Sequence, residues 1–119
     1  VLTNEISGAS LSSNAITLPA GIYHLECSAV FYRCGLAKLK LRQTSATAQD
    51  MLIGMNTFAN TDYGMTFSTG VSGRFTLGDE ETIELQYQVQ TTRATDGVGF
   101  ACSFGVAETY ADLKIWKVA

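Results

Sequence analysis

Apolar residues recur at every second position through most of the chain, the period of a half-buried β-strand. From Gly21 to Cys34, the residues Tyr23, Leu25, Cys27, Ala29 and Phe31 share one face of an extended chain, and His24, Glu26, Ser28 and Tyr32 share the other. From Ala37 to Arg42, Ala37, Leu39 and Leu41 alternate with Lys38, Lys40 and Arg42. The clearest strand is Thr82 to Gln90, where Ile83, Leu85, Tyr87 and Val89 point one way and Glu84, Gln86, Gln88 and Gln90 the other. Further strands are predicted over Met51–Ala59, Tyr63–Leu77, Val98–Phe104 and Thr109–Val118, with weaker ones around Leu2–Ile6 and Ala15–Leu18. Gly64, Gly70 and Gly73 predict a bulge or bend in Tyr63–Leu77. Thr44–Asp50, Asn60–Asp62, Gly78–Glu81 and Thr91–Gly97 carry turn and loop residues. No segment holds a helical period. Eight to ten short strands joined by short turns make an all-β sandwich or barrel.

The 119 residues make one domain, 1–119, and a 46% share of hydrophobic residues is enough for a core without disulfide staples. No apolar run approaches the ~18 residues of a membrane helix. No basic region followed by an apolar stretch marks a signal peptide at the N-terminus. The chain opens on Val1, so either an initiator was removed or this is a piece of a longer protein. A net charge of −3 argues against a nucleic-acid partner, which selects a basic face.

Cys27, Cys34 and Cys102 are odd in number, so at least one thiol stays free. Cys27 and Cys34 stand seven residues apart in one strand. At ~3.3 Å per residue they lie about 23 Å apart, beyond the roughly 7 Å that a disulfide spans. Free thiols suit a protein folded in a reducing cytoplasm.

Catalytic patterns are missing. A hydrolase triad needs a histidine base, and the single histidine, His24, sits in mid-strand. One histidine cannot supply a cupin-type metal cluster, and no Cys-x-x-Cys suggests zinc. Gly97-Val98-Gly99 lacks the third glycine of a dinucleotide fingerprint, and Gly70-Val71-Ser72-Gly73 is followed by Arg74, not the glycine of a nucleophile elbow. The row Lys38, Lys40, Arg42 reads as the solvated face of an amphipathic strand. Asp79, Glu80, Glu81 and Glu108 are turn acids that either solubilise the chain or hold Ca²⁺; otherwise no cofactor is expected.

Leu18-Pro19-Ala20-Gly21-Ile22-Tyr23 resembles the entry into the first long strand of tumour-necrosis-factor-like and complement-globular-head-like jelly rolls, widespread as C-terminal domains of bacteriophage tail-fibre and related virion proteins. Gly73-Arg74-Phe75-Thr76-Leu77, Ile83-Glu84-Leu85-Gln86, Gln90-Thr91-Thr92, Gly99-Phe100-Ala101, Phe104-Gly105-Val106 and the ending Ile115-Trp116-Lys117-Val118-Ala119 extend the likeness from about Ile16 to the C-terminus. It departs at Tyr87, where histidine is common in such domains. The resemblance implies an antiparallel jelly-roll sandwich of two sheets that forms a homotrimer with one sheet facing the three-fold axis. Glu84, Gln86, Gln88, Tyr110 and Trp116 are then expected at the trimer interface. The apolar Tyr110, Trp116 and Val118 opposite Ala111, Leu113 and Ile115 fit that expectation.

The implied function is non-enzymatic: a receptor-binding tip on the virion surface, folded in the host cytoplasm and recognising a host cell-surface glycan or protein. The alternatives are a trimeric capsid decoration or cement protein, and a soluble lectin-like module. Alternating strand directions put Gly35, Asn60–Asp62 and Thr91–Gly97 at one end with the C-terminus, and Thr44–Asp50, Gly78–Glu81 and Gly105–Thr109 at the other. A fibre joined before Val1 would cover the first end. The free apex would then present Thr44, Thr47, Gln49, Asp50, Asp79, Glu80, Glu81 and Glu108 to a ligand.

Overall fold

The protein is seen in a computed structural model that describes residues 4–119. The alternating patterns become nine strands: β1 (Ser10–Ser12), β2 (Ala15–Leu18), β3 (Gly21–Tyr32), β4 (Gly35–Gln43), β5 (Gln49–Ile53), β6 (Thr57–Ala59), β7 (Thr66–Leu77), β8 (Glu81–Val89) and β9 (Ala111–Lys117). No helix occurs among the described residues. The strands form two antiparallel sheets. The larger has the order β1-β2-β8-β4-β5, with β6 also paired to β4; the smaller has the order β7-β3-β9. From β2 to β9 the chain crosses between the sheets at five of its seven connections; β4, β5 and β6 follow one another in the larger sheet.

The core is the set of inward faces that the alternation marks. Tyr23, Leu25, Cys27, Ala29 and Phe31 of β3 are buried, as are Ala37, Leu39 and Leu41 of β4 and Ile83 of β8. Tyr23 stacks on Phe75 of β7 with ring centroids 5.5 Å apart. Its hydroxyl donates to the Pro19 carbonyl at 2.7 Å, so this buried phenol is not left unpaired. All three thiols are free; Cys27 and Cys34 are buried and Cys102 is exposed.

The sandwich closes on one side only. Between β5 and β6, the Gly54 amide donates to the Leu39 carbonyl of the larger sheet at 2.9 Å, and the Met55 amide donates to the Gly70 carbonyl of the smaller at 3.1 Å. A Cβ at Gly54 would stand 2.7 Å from both carbonyl oxygens, so only glycine lets the link lie between the sheets. On the opposite side, β8 and β9 have no such bridge among the described residues. The inward Leu85, Val89, Leu113 and Ile115 are only partly buried there. Tyr87 is 58% exposed, though its ring meets Phe31 edge-on at 5.8 Å.

Several expectations need correction. Val98–Phe104 is not a strand: residues 90 to 110 form one long loop. Removing that strand reverses the direction of β9 and moves the C-terminus to the other end of the sandwich. Met51–Ala59 breaks into β5 and β6 at the Gly54 link. Tyr63–Leu77 starts at Thr66 and pairs with β3 without a bulge, Gly21↔Leu77 through Tyr32↔Thr66. Its Gly70 serves close approach instead, since a Cβ there would stand 2.7 Å from the Cys27 carbonyl oxygen. The register shift lies between Leu41 and Arg42, opposite β5. The expected strand around Leu2–Ile6 lies partly outside the described residues; Asn4–Ile6 is not a strand, and β1 forms later, at Ser10–Ser12.

Leu41 is fully buried between the sheets, whereas Lys38 is exposed on the outer face. Leu41→Ala is expected to cost about 2–5 kcal/mol in chemical denaturation, and Lys38→Ala less than ~0.5 kcal/mol. Similar losses for the two would contradict the facing of β4.

Candidate functional site

β3, β5, β8 and the β6 extension run one way, and β2, β4, β7 and β9 the other. The two ends of the sandwich therefore differ in what they carry. One end, here the basal end, holds the turns 44–48 and 78–80 and the C-terminus. The Asn4–Ala9 stretch also lies there, with Gly8 against Pro19 at the start of β3. The other end, the distal end, holds the turn Arg33-Cys34-Gly35, the loop 60–65 and the long loop 90–110.

At the basal end, backbone bonds tie the two turns together. The Thr44 amide donates to the Thr82 carbonyl at 2.9 Å, and the Thr82 amide donates to Ser45 Oγ at 2.7 Å. Ser45 in turn donates to the Glu81 carboxylate. Thr44, Thr47, Gln49, Asp79 and Glu80 are exposed around this knot. Asp50 is engaged from two sides: Arg42 reaches it at 2.6 Å and Lys40 at 3.0 Å. These two cations hold its carboxyl below the usual carboxylate range. The basic row on β4 thus clamps an acid on the solvated face of the larger sheet. Among the described residues, no three histidine, cysteine or carboxylate side chains converge as metal ligands.

Glu108 belongs to the distal end, away from the other seven residues expected at the apex. Its two carboxylate oxygens accept the backbone N–H groups of Cys102 and Ser103, each at 2.8 Å, and these bonds lower its pKa. Ser103 adopts a left-handed φ of 58°, so the cap holds a bent backbone. A second brace lies at the start of the loop. Arg93 grips Asp96 through two 2.6 Å bonds, and its guanidinium lies 5.5 Å from the Tyr32 ring centroid. The Tyr32 amide donates to the Gly97 carbonyl at 2.9 Å, and Phe100 packs edge-on against Tyr32 at 4.3 Å. Tyr32, which faces outward on β3, is buried by this loop.

The distal end gathers exposed side chains suited to binding. Tyr63 and Met65 are exposed in the loop 60–65, and Thr91, Thr92 and Thr95 in the start of the long loop. Asn60 Oδ1 accepts the Asp62 amide at 2.7 Å, an Asx turn that presents Tyr63. Turn chemistry in Asn60–Asp62 is legible in sequence. Strand counting along the sequence also sets this turn at the same end as the Thr91–Gly97 loop, and both lie at the distal end.

The five residues expected at one trimer interface divide between two surfaces. Glu84, Gln86 and Gln88 lie on the outer face of the larger sheet, where Gln86 donates to Glu84 at 3.1 Å. Trp116 pairs with His24 on the outer face of the smaller sheet, and Tyr110 stands beside Val30 on that same face. These faces point away from each other, so one three-fold axis cannot take both sets. On the smaller sheet, His24 lies 5.8 Å from Trp116 ring to ring and meets Glu26 at 3.3 Å. An open groove of about 440 Å³ crosses this face beside Glu26, Ser28, Ser72, Asp112 and Lys114.

No protein-family model matches the chain, and no curated protein matches it.

The Glu108 cap has a definite pH signature. A carboxyl whose folded pKa is depressed contributes fully above its unfolded value and loses its contribution as pH falls through the folded one. In the monomeric chain, the Cys102 and Ser103 amide resonances are expected to shift with a midpoint below the ~4.3 of free glutamate. Glu108→Gln should abolish that titration; a midpoint above ~4.3 would contradict the cap.

Proposed function

We propose that the chain is a non-enzymatic jelly-roll binding head that works as a homotrimer on a virion surface, most specifically the receptor-binding tip of a phage tail fibre. The observation that carries this reading is the strand order: β2-β8-β4-β5 stacked on β7-β3-β9, with five of the seven connections from β2 to β9 crossing between the sheets, a pattern that fits a jelly roll. The motifs from Leu18 to Tyr23 and from Ile115 to Ala119 support the same reading, because they begin β3 and end β9 in that order. The half-exposed apolar side chains of β8 and β9 favour assembly, since a solvated monomer seldom leaves a contiguous apolar strip of this kind wet.

The recognition surface in this reading is the distal end. A longer parent chain joined through either terminus enters at the basal end, which leaves the distal loops free. The loops 60–65 and 91–96 offer Asn60, Asp62, Tyr63, Thr91, Thr92 and Thr95, an aromatic ring among short hydrogen-bonding side chains. That combination fits a cell-surface glycan or a protein epitope, with the ring as anchor and the hydroxyls as polar rim. The proposal thereby moves recognition away from Thr44, Thr47, Gln49, Asp50, Asp79, Glu80 and Glu81.

Light scattering at micromolar concentration is expected to give three times the 12.8 kDa chain mass; a monomer would overturn the trimer. The fluorescently labelled protein should adsorb to a subset of a bacterial strain panel. Tyr63→Ser with Thr92→Ala should weaken adsorption by ~2 kcal/mol or more, roughly thirty-fold, and leave the oligomer intact. Thr47→Ala with Gln49→Ala should leave adsorption unchanged. The reverse pattern would place recognition at the basal end.

A further inference from the structure

Two features of the isolated chain lack a partner, and they complement each other. The first is the stretch 98–107. Val98, Phe100, Cys102, Phe104 and Val106 alternate with Gly99, Ala101, Ser103, Gly105 and Ala107, a strict strand pattern with one large and one small face. It pairs with no strand among the described residues. Phe104 is 82% exposed and Val106 75%, the two highest values among the large apolar side chains apart from Met55. The second feature is the open side of the sandwich. β9 pairs with β3 along one edge, and its other edge has no strand partner among the described residues. Beside that edge lie the half-buried Leu113 and Ile115 and the exposed Tyr87.

We propose that the Ala101–Ala107 stretch of one copy adds as a strand to the free β9 edge of a second copy and seats Phe104 and Val106 in the seam between that copy's β8 and β9. The inference rests on the homotrimer reading and specifies its interface. A second copy is favoured over the stretch's own chain by where the stretch is rooted. Gly99 lies against Val30 and Phe100 against Tyr32, both on the outer face of the smaller sheet, whereas the seam opens on the inner face. The charges agree as well. The stretch carries none, and Asp112 and Lys114 of β9 neutralise each other at 2.7 Å, so docking leaves no lone charge without water. The small face of Ala101, Ser103, Gly105 and Ala107 lets a neighbouring backbone approach closely. The lending stretch and the receiving seam are different surfaces, so the contact is head-to-tail. Such contacts give rings when the rotation closes and open filaments when it does not, never two-fold dimers, and a trimer is the closed three-membered case. The Glu108 cap keeps the stretch bent in the unassembled chain, and straightening it releases Ser103 from its left-handed φ.

Cys102 lies in the lending stretch and is exposed, which provides a direct test. Leu113→Cys, made in a Cys27→Ala background because Cys27 stands directly opposite Leu113 on β3, puts a thiol in the receiving seam. Mild oxidation of this full-length protein should give covalent dimers and trimers on non-reducing electrophoresis. The wild type and the same variant with Cys102→Ser added should give none. Only monomers from Leu113→Cys, whether unlinked or linked within one chain, would overturn the inference. Phe104→Ser provides an independent measurement, because that side chain is exposed and its loss leaves the folded chain unaffected. Its circular dichroism should match wild type while its subunit dissociation constant rises at least ten-fold. Wild-type assembly in Phe104→Ser would overturn this interface and leave the homotrimer reading standing. A monomeric wild type would overturn both.

Discussion

The inward stripe of β3 is the constraint on which the rest of the molecule depends. Tyr23, Leu25, Cys27, Ala29 and Phe31 sit on the central strand of the smaller sheet, so the same residues set the register of β7 on one side and β9 on the other. A slip of one residue would turn all five into solvent and bring His24, Glu26 and Ser28 into the core, which the period of two makes prohibitive. With β3 held, the inward faces of β4 and β8 have one surface to cover, and the larger sheet follows. Burial pushes the Cys27 thiol up to about 11, so it behaves as a packing group and not as a reactive one.

The sandwich built on that stripe is asymmetric. Gly54 and Met55 hydrogen-bond to both sheets and close one side. The other side ends in β9, a seven-residue edge strand whose inward side chains are half covered. An open edge beside apolar side chains invites another strand. The Ala101–Ala107 stretch belongs to the same account, since it has the pattern of a strand and no strand partner among the described residues. The proposed assembly satisfies both with one contact.

Charge plays a local part. Arg42 and Lys40 on Asp50, Arg93 on Asp96, and the two amides on Glu108 are all exposed or nearly so, and each braces a turn or a loop mouth. Such pairs contribute little to global stability in water. Their effect is positional: they fix the conformation of loops that the core does not reach. The distal loops are therefore ordered by side-chain bonds, which are specific to this sequence, while the sheets are ordered by burial, which many sequences could supply.

Strands whose two faces see different surroundings are readable from the chain alone. β3, β4 and β8 are legible because alternation between core and water is written residue by residue, and the all-β class and the free thiols follow from the same local pattern. What only the tertiary structure decided is whether an alternating stretch finds a partner. Val98–Phe104 has the pattern but no strand partner among the described residues, so it stays a loop, and the direction of β9 and the end that carries the C-terminus change with it. Glu84, Gln86 and Gln88 were likewise legible as an outward face, but not as a face turned away from Trp116. Side-chain alternation is a property of neighbouring residues, whereas the end a loop occupies is the sum of every strand before it. One unformed strand reverses that sum for everything after it: Glu108 and the C-terminus change ends, whereas Asn60–Asp62 and Thr91–Gly97, counted before it, stay together.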